Sequence, residues 1–270
     1  MTVFERTARL TELLREQGSL LVAFSGGADS AFLLAAAVRA LGPAQVVAAT
    51  AVSPSLPRSE LDDAARFALG LGVRHLTPRT DELARPGYVA NGRDRCFHCK
   101  AELLDVLTPL RDELGLVAVA TGTNADDVGD RFRPGIRAAA RAGAITPLAD
   151  AGLTKAQVRE VSRAWGLVTA DKPAAACLSS RVAYGIAITP ARLNRIEHAE
   201  RALKDALVGA GLPARNLRVR DLGDTARVEV DAPLVAELTR RPDLLDAVTG
   251  FAEVTVDPRG FRSGSMNEVP

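Results

Sequence analysis

Residues 22–30, VAFSGGADS, followed at once by AFLLAAAVRALG (31–42), decide the fold of this chain. The apolar run reads as a buried strand, the glycines as a tight turn, and residues 28–41 as a helix. Gly26 and Gly27 admit backbone angles closed to other residues and let a ligand approach the main chain. The new helix directs unpaired N–H groups into the same space, with the positive end of its dipole behind them. Ser25, Gly26, Gly27, Asp29 and Ser30 therefore form a candidate phosphate or pyrophosphate site. No Lys follows the glycines as GxxxxGK[ST] requires, and the GxGxxG spacing is absent. Stripped of its surroundings, the same stretch is an N-capped helix after a strand.

The surroundings repeat the pattern. Residues 45–52 (QVVAATAV) read as a second buried strand, 58–70 as a helix, VRHLTP (73–78) as a third strand and LVAVATG (116–122) as a fourth. Residues 80–95 read as a polar loop, and a helix runs from Cys96 to about residue 114. Continuous apolar strands separated by helices indicate an α/β fold with a parallel sheet covered on both faces. Ligands of such sheets bind beyond the carboxyl ends of the strands. SGGADS, SPS (53–55) and TGTNADD (121–127) all fall at such ends. Gly122 and Asn124 are thus nucleotide candidates; the competing reading of TGTNADD is a polar turn that caps the next helix.

From Thr189 the pattern changes. A long helix entered through Thr-Pro is followed by two strands around a Gly-Asp turn (216–230), a helical stretch broken at Pro242, and a last strand, FAEVTVD. That order describes a smaller α+β domain, with the division placed as 1–185 and 186–270.

Composition bounds the function. Of 270 residues, 47% are hydrophobic and the net charge is only +1, so bulk charge favours neither nucleic acid nor a membrane surface. No apolar run is long enough to cross a bilayer. The N-terminal MTVFERTARLTELLREQG reads as an amphipathic helix rather than a signal peptide, and three cysteines suit a reduced, cytoplasmic protein.

The cysteines differ. Cys96 and Cys99 form a CxxC in RCFHCK, without a second CxxC to complete a zinc ribbon. They fit either a redox pair or small helix-start residues. Cys177 lies in the loop DKPAAACLSSRVAYG (171–185), with Lys172 and Arg181 close in sequence; nearby cations favour the nucleophilic thiolate. A small buried hydrophobe is the alternative for it.

SGGADS closely resembles the SGGxDS loop of the PP-loop ATP pyrophosphatases, whose domain is adenine nucleotide alpha hydrolase-like. DKPAAACLSSRVAYG, RCFHCK, LRVRDLGDTARVEV (217–230) and GFRSGSMNE (260–268) together resemble the LarE family of ATP-dependent sacrificial sulfur transferases, over nearly the whole chain. The resemblance implies ATP and Mg²⁺, and adenylation of a carboxylate of pyridinium-3,5-biscarboxylic acid mononucleotide. It then implies transfer of the Cys177 sulfur to give a thiocarboxylate, leaving dehydroalanine. It implies phosphate binding by Arg218 and Arg220, with Ser180 and Arg181 as further candidates. Partner enzymes of nickel-pincer nucleotide synthesis and a homo-oligomer are expected; an iron–sulfur cluster on the three cysteines is not. Asp29 is a candidate metal ligand. Glu197 and Glu200, on one face of the long helix, fit a metal, a base or a salt-bridged surface. The competing functions are a tRNA thiolase or amide-forming synthetase of the same superfamily, and a non-catalytic nucleotide-binding module.

Overall fold

A computed structural model describes residues 1–128, 134–173, 176–262 and 264–267. The chain forms two compact units, one of residues 1–85 and 94–175, the other of residues 86–93 and 176–270.

The first unit holds α1 (Val3–Gln17), β1 (Leu20–Ala23), α2 (Ala28–Leu41), β2 (Val46–Ala49), α3 (Arg58–Gly70) and β3 (Arg74–Leu76). After a short helix, α4 (Pro86–Val89), that belongs to the second unit, it resumes with α5 (Arg95–Glu113) and β4 (Ala118–Thr121). Short helices α6 (Ala125–Val128), α7 (Pro134–Arg141) and α8 (Pro147–Asp150) then lead to α9 (Lys155–Ala164). The strands form a sheet ordered β3-β2-β1-β4, and every pairing is parallel. Successive side chains of β1 point to opposite faces. Leu20 and Val22 join Leu10, Phe32, Ala64 and Val158 on one side, while Leu21 and Ala23 join Leu104, Leu107 and Ala139 on the other. Both faces are therefore covered, which is why the strands read as unbroken apolar runs. Each fully buried Leu or Phe contributes about 1.5–3 kcal/mol by leaving water. Phe32 stacks on Trp165 at 5.0 Å, and the Arg39 guanidinium lies 4.4 Å from the centre of the same indole.

The second unit continues with α10 (Pro190–Gly209), β5 (Leu217–Asp221), β6 (Thr225–Val230), α11 (Ala232–Arg240), α12 (Pro242–Leu245) and β7 (Glu253–Val256). β6 pairs antiparallel with β5 and parallel with β7. One sheet face carries Val219, Val228 and Val230 against Leu203 and Leu207 of α10. Alternation puts Arg218, Arg220, Arg227 and Glu229 on the other.

The sequence division at 185/186 and the structural division differ for a physical reason. Asn91, held at φ +53°, donates its amide to the carbonyls of Ala183 and Ile186 at 2.8 and 2.9 Å. The buried Tyr88 hydroxyl lies 2.5 Å from Ser179 Oγ. These bonds tie residues 86–93 to the segment around Cys177, across some ninety positions of sequence. The same segment was expected to be plain loop. Among the described residues no helix is long and apolar enough to cross a membrane.

Candidate functional site

In the first unit, β1 runs through Phe24-Ser25-Gly26-Gly27 into α2. Only one of the two glycines uses the freedom expected of both. Gly26 has φ +72°, whereas Gly27 is extended at φ −78° and ψ 162°. Gly27 serves instead by having no side chain, since no side-chain hydrogen bond caps α2. The first N–H groups of α2 keep their donors for something else. Hydroxyls brace the turn. Ser30 Oγ donates to the Gly27 carbonyl at 3.1 Å and lies 3.1 Å from Ser25 Oγ.

Gly122 has a more specific role than the one read from sequence. A Cβ there would sit 2.8 Å from the Ser30 nitrogen and 2.9 Å from its Cα. The turn after β4 thus packs directly on the first turn of α2, and only glycine leaves room. TGTNADD is indeed a cap. Asn124 Oδ1 accepts from the N–H groups of Asp126 and Asp127 at 3.0 and 3.2 Å. Asp127 Oδ2 accepts the Asn124 N–H in return. Asp126 receives the Lys155 N–H at 2.8 Å, which anchors the start of α9.

These loops enclose a cavity of about 370 Å³, a size suited to a small-molecule ligand. Thr50 and Leu56 lie on its wall, and Lys100, Lys155, Arg159 and Lys172 bring positive charge to it. Lys100, Lys155 and Arg159 escaped the sequence reading, which took Lys172 only as a cation near Cys177. Lys155 and Arg159 sit four residues apart on α9, a spacing that places both on one side. Lys172 Nζ is anchored by Glu60 at 2.7 Å and Asp63 at 3.4 Å. Loss of water holds the partly buried Lys100 ammonium below the ordinary lysine range.

Asp29 is the least satisfied group in the cavity. Burial raises its carboxyl above the usual aspartate range; Lys155 and the neighbouring Asn124 side chain oppose the rise, and Asp127 adds to it. Its Oδ1 is buried without a hydrogen-bond partner, and so is Asn124 Nδ2. A buried oxygen of this kind calls for a cation or a donor from outside the chain. The site therefore fits Mg²⁺, which binds through one or two carboxylates and completes its shell with phosphate oxygens and water. Among the described residues, no three His, Cys, Asp or Glu side chains converge on one point, so the ligand's own oxygens would have to supply much of that shell.

The second unit holds the partly buried Cys177 as the N-terminal residue of a short 3₁₀ turn, Leu178–Arg181. Arg181 is 3% exposed. Its Nε and Nη2 donate to Glu200 at 3.0 and 3.1 Å, and its Nη1 donates to the carbonyls of Ala176 and Cys177. Glu200 also accepts the Val219 N–H at 3.0 Å, so this carboxylate is committed within the protein. Arg220 is equally enclosed. It donates to Glu229 at 2.7 Å, to Ser265 Oγ at 3.0 Å and to the Ser180 carbonyl at 3.2 Å. Ser265 Oγ donates in turn to Glu229 Oε1 at 2.8 Å. Arg218 instead lies over the Phe261 ring, 5.4 Å from its centre. Glu197 sits one turn before Glu200 on α10. Ala174, Ala175, Ser263 and Glu268, which belong to the two motifs quoted above, lie outside the described residues.

No protein-family model matches the chain. It is 32% identical over 270 residues to the pyridinium-3,5-bisthiocarboxylic acid mononucleotide synthase of Lactiplantibacillus plantarum, covering 99% of this chain and 95% of that protein. An uncharacterized protein of Synechocystis is 40% identical over 265 residues, 96% of each chain. An uncharacterized protein of Methanocaldococcus jannaschii is 24% identical over 97% of this chain and all of its own length.

Proposed function

The chain belongs to the LarE family of sulfur-inserting synthases, and from that premise we propose that it makes a thiocarboxylate on a pyridinium mononucleotide by an ATP-dependent, sacrificial route. ATP occupies the first-unit cavity with its phosphates on the Ser25–Ser30 loop. The uncapped N–H groups of α2 and the charges of Lys155, Arg159 and Lys172 receive the pyrophosphate. Asp29 would hold Mg²⁺, which would supply neutralisation of phosphate charge. A carboxylate of pyridinium-3,5-biscarboxylic acid mononucleotide attacks the α-phosphorus, pyrophosphate leaves, and an acyl adenylate forms. The Cys177 sulfur then attacks the activated carbonyl and displaces AMP. Removal of the Cys177 α-proton and cleavage of its Cβ–S bond release the thiocarboxylate and leave dehydroalanine in the chain.

The observation that carries the reading is the cation-lined cavity over an uncapped helix, with Asp29 Oδ1 and Asn124 Nδ2 buried and unpartnered inside it. Incubation with ATP, Mg²⁺ and the biscarboxylate mononucleotide tests it. Release of pyrophosphate and AMP is expected only when both substrates are present. Pyrophosphate release that requires an amine or a tRNA instead would move the chain to another branch of the superfamily. Nucleotide binding without any cleavage would make it a binding module.

A further inference from the structure

Breaking the Cβ–S bond of a cysteine requires removal of its α-proton, a weak acid whose electrons are delocalised onto that residue's own carbonyl oxygen. Whatever stabilises negative charge on the carbonyl accelerates the step. The Cys177 carbonyl accepts three hydrogen bonds. Ser180 Oγ donates to it at 2.7 Å, the Ser180 N–H at 3.0 Å, and Arg181 Nη1 at 2.9 Å. An N-terminal residue of a 3₁₀ turn ordinarily accepts one main-chain bond. Here a hydroxyl and a cation are added to it.

The donors are themselves held. Arg181 is fixed by Glu200, and Arg220, fixed by Glu229 and Ser265, binds the Ser180 carbonyl. The hydroxyl has little freedom either, because Arg181 Nη1 also approaches Ser180 Oγ at 3.3 Å. Fixed donors aimed where charge develops stabilise a transition state without having to reorganise.

We propose that Ser180 and Arg181 form an oxyanion hole for the main-chain carbonyl of Cys177, stabilising the enolate on the way to dehydroalanine, and that Arg220 is the positioning residue that holds the turn. This rests on Cys177 being the sulfur donor. The bonds balance without a further reactant. With the sulfur carried as an acyl thioester, a base takes the α-proton and the C–H electrons become the Cα=Cβ bond. The Cβ–S electrons leave on sulfur as the thiocarboxylate. Ser180 and Arg181, further candidates for the substrate phosphate by resemblance, direct these donors to the protein's own backbone.

The test separates this step from those before it. In a Cys96→Ser/Cys99→Ser background, the Cys177 thiol is arylated with 1-fluoro-2,4-dinitrobenzene. Elimination is then followed by the yellow dinitrobenzenethiolate released and by intact mass. This probe needs neither ATP nor the nucleotide substrate. Elimination should be faster in the folded protein than in urea, about a hundredfold slower in Ser180→Ala, and restored in Ser180→Thr, which keeps the hydroxyl. Arg181→Lys, which keeps the charge but not the fork, should also slow it. With natural substrates, Ser180→Ala should form the thioester adduct at the wild-type rate and accumulate it. Equal elimination rates in folded and unfolded protein, or in Ser180→Ala and wild type, would overturn the hole. Should the arylated protein behave as expected while no adduct forms with ATP and substrate, the sulfur-donor reading fails and the hole stands. For Arg220, Arg220→Lys should slow elimination of the arylated thiol in phosphate-free buffer. Unchanged elimination coupled to lost binding of nicotinic acid mononucleotide, a phosphate-bearing probe, would make Arg220 a phosphate ligand instead.

Discussion

The Ser25–Ser30 loop and the Cys177–Arg181 turn are both short and both built around serine hydroxyls, yet their donors go to opposite places. The first leaves its helix uncapped, with Asp29 Oδ1 and Asn124 Nδ2 buried and unpartnered. In the second, Arg181 donates to Glu200 and to main-chain carbonyls, and Arg220 of β5 backs the turn with bonds to Glu229, Ser265 and the Ser180 carbonyl. In the first, those two atoms are where an outside ligand would gain most, because a buried polar atom without a partner costs about 1–3 kcal/mol until something fills it. Satisfied groups mark a place where the chain's own backbone is the object being held. Serines stand in both segments, so their presence alone does not separate the two; the hydrogen bonds do.

The difference breaks most sharply at Asp29. Asp29→Asn should abolish pyrophosphate release, measured by a coupled phosphate assay, while leaving elimination of arylated Cys177 at the wild-type rate. It should also stabilise the apo protein at neutral pH. Burial raises the folded-state pKa of Asp29, so the folded chain holds this proton more tightly than the unfolded one. Stability from this group is then lost as pH rises above the ordinary aspartate range. The gain from Asn should be complete above the raised pKa and vanish below the unfolded one, as thermal melts across pH would read. A variant less stable than wild type at neutral pH contradicts that sign.

Gly122→Ala comes next. Its Cβ would meet the backbone of Ser30 and Asp29, which cannot yield as a flexible side chain would. Overpacking of this kind costs about 1–3 kcal/mol. The melting temperature should fall, and KM for ATP should rise as the first turn of α2 is pushed from its seat. An unchanged KM would show that the seat does not set the phosphate site.

Replacing Lys155 by Met should weaken pyrophosphate binding about tenfold, as expected for one charge-assisted contact of ~1.5 kcal/mol. The loss should shrink at high salt in calorimetric titrations. Ser265→Ala gives the smallest effect and probes the other region. It removes one brace from Arg220 and Glu229, costs about 1 kcal/mol of stability, and should slow elimination a few-fold with ATP binding unaltered. Loss of ATP binding in that variant would dissolve the distinction between the two regions.

Much of the first unit was legible because its signals are local. A strand, Gly26, an alanine-rich helix and alternating β and α runs all follow from neighbours in sequence, and β1, α2, β2, α3 and α5 fall within a few residues of where they were expected. The α6–α8 stretch went unread because its helices run only four, eight and four residues, too short to declare a helical period in sequence. The candidate site was legible as residues but not as partnerships. Arg220 and Glu229 lie on strands joined by a tight turn, so their contact follows from the hairpin, whereas nothing local ties Arg181 to Glu200 or Arg220 to the Ser180 carbonyl. One clue to the Cys177 carbonyl was present: Ser180 follows Cys177 by three, the spacing at which a turn returns a donor to its first carbonyl.

The most direct measurement is intact-protein mass spectrometry of the wild-type chain and Cys177→Ala after incubation with ATP, Mg²⁺ and pyridinium-3,5-biscarboxylic acid mononucleotide. Wild type should lose the mass of H₂S once per molecule, mapped to Cys177 by peptide analysis, with one thiocarboxylate formed per protein consumed. The alanine variant should still release pyrophosphate and make no sulfur product. Repeated turnover at constant protein mass, or thiocarboxylate from the alanine variant, would contradict the sacrifice of Cys177.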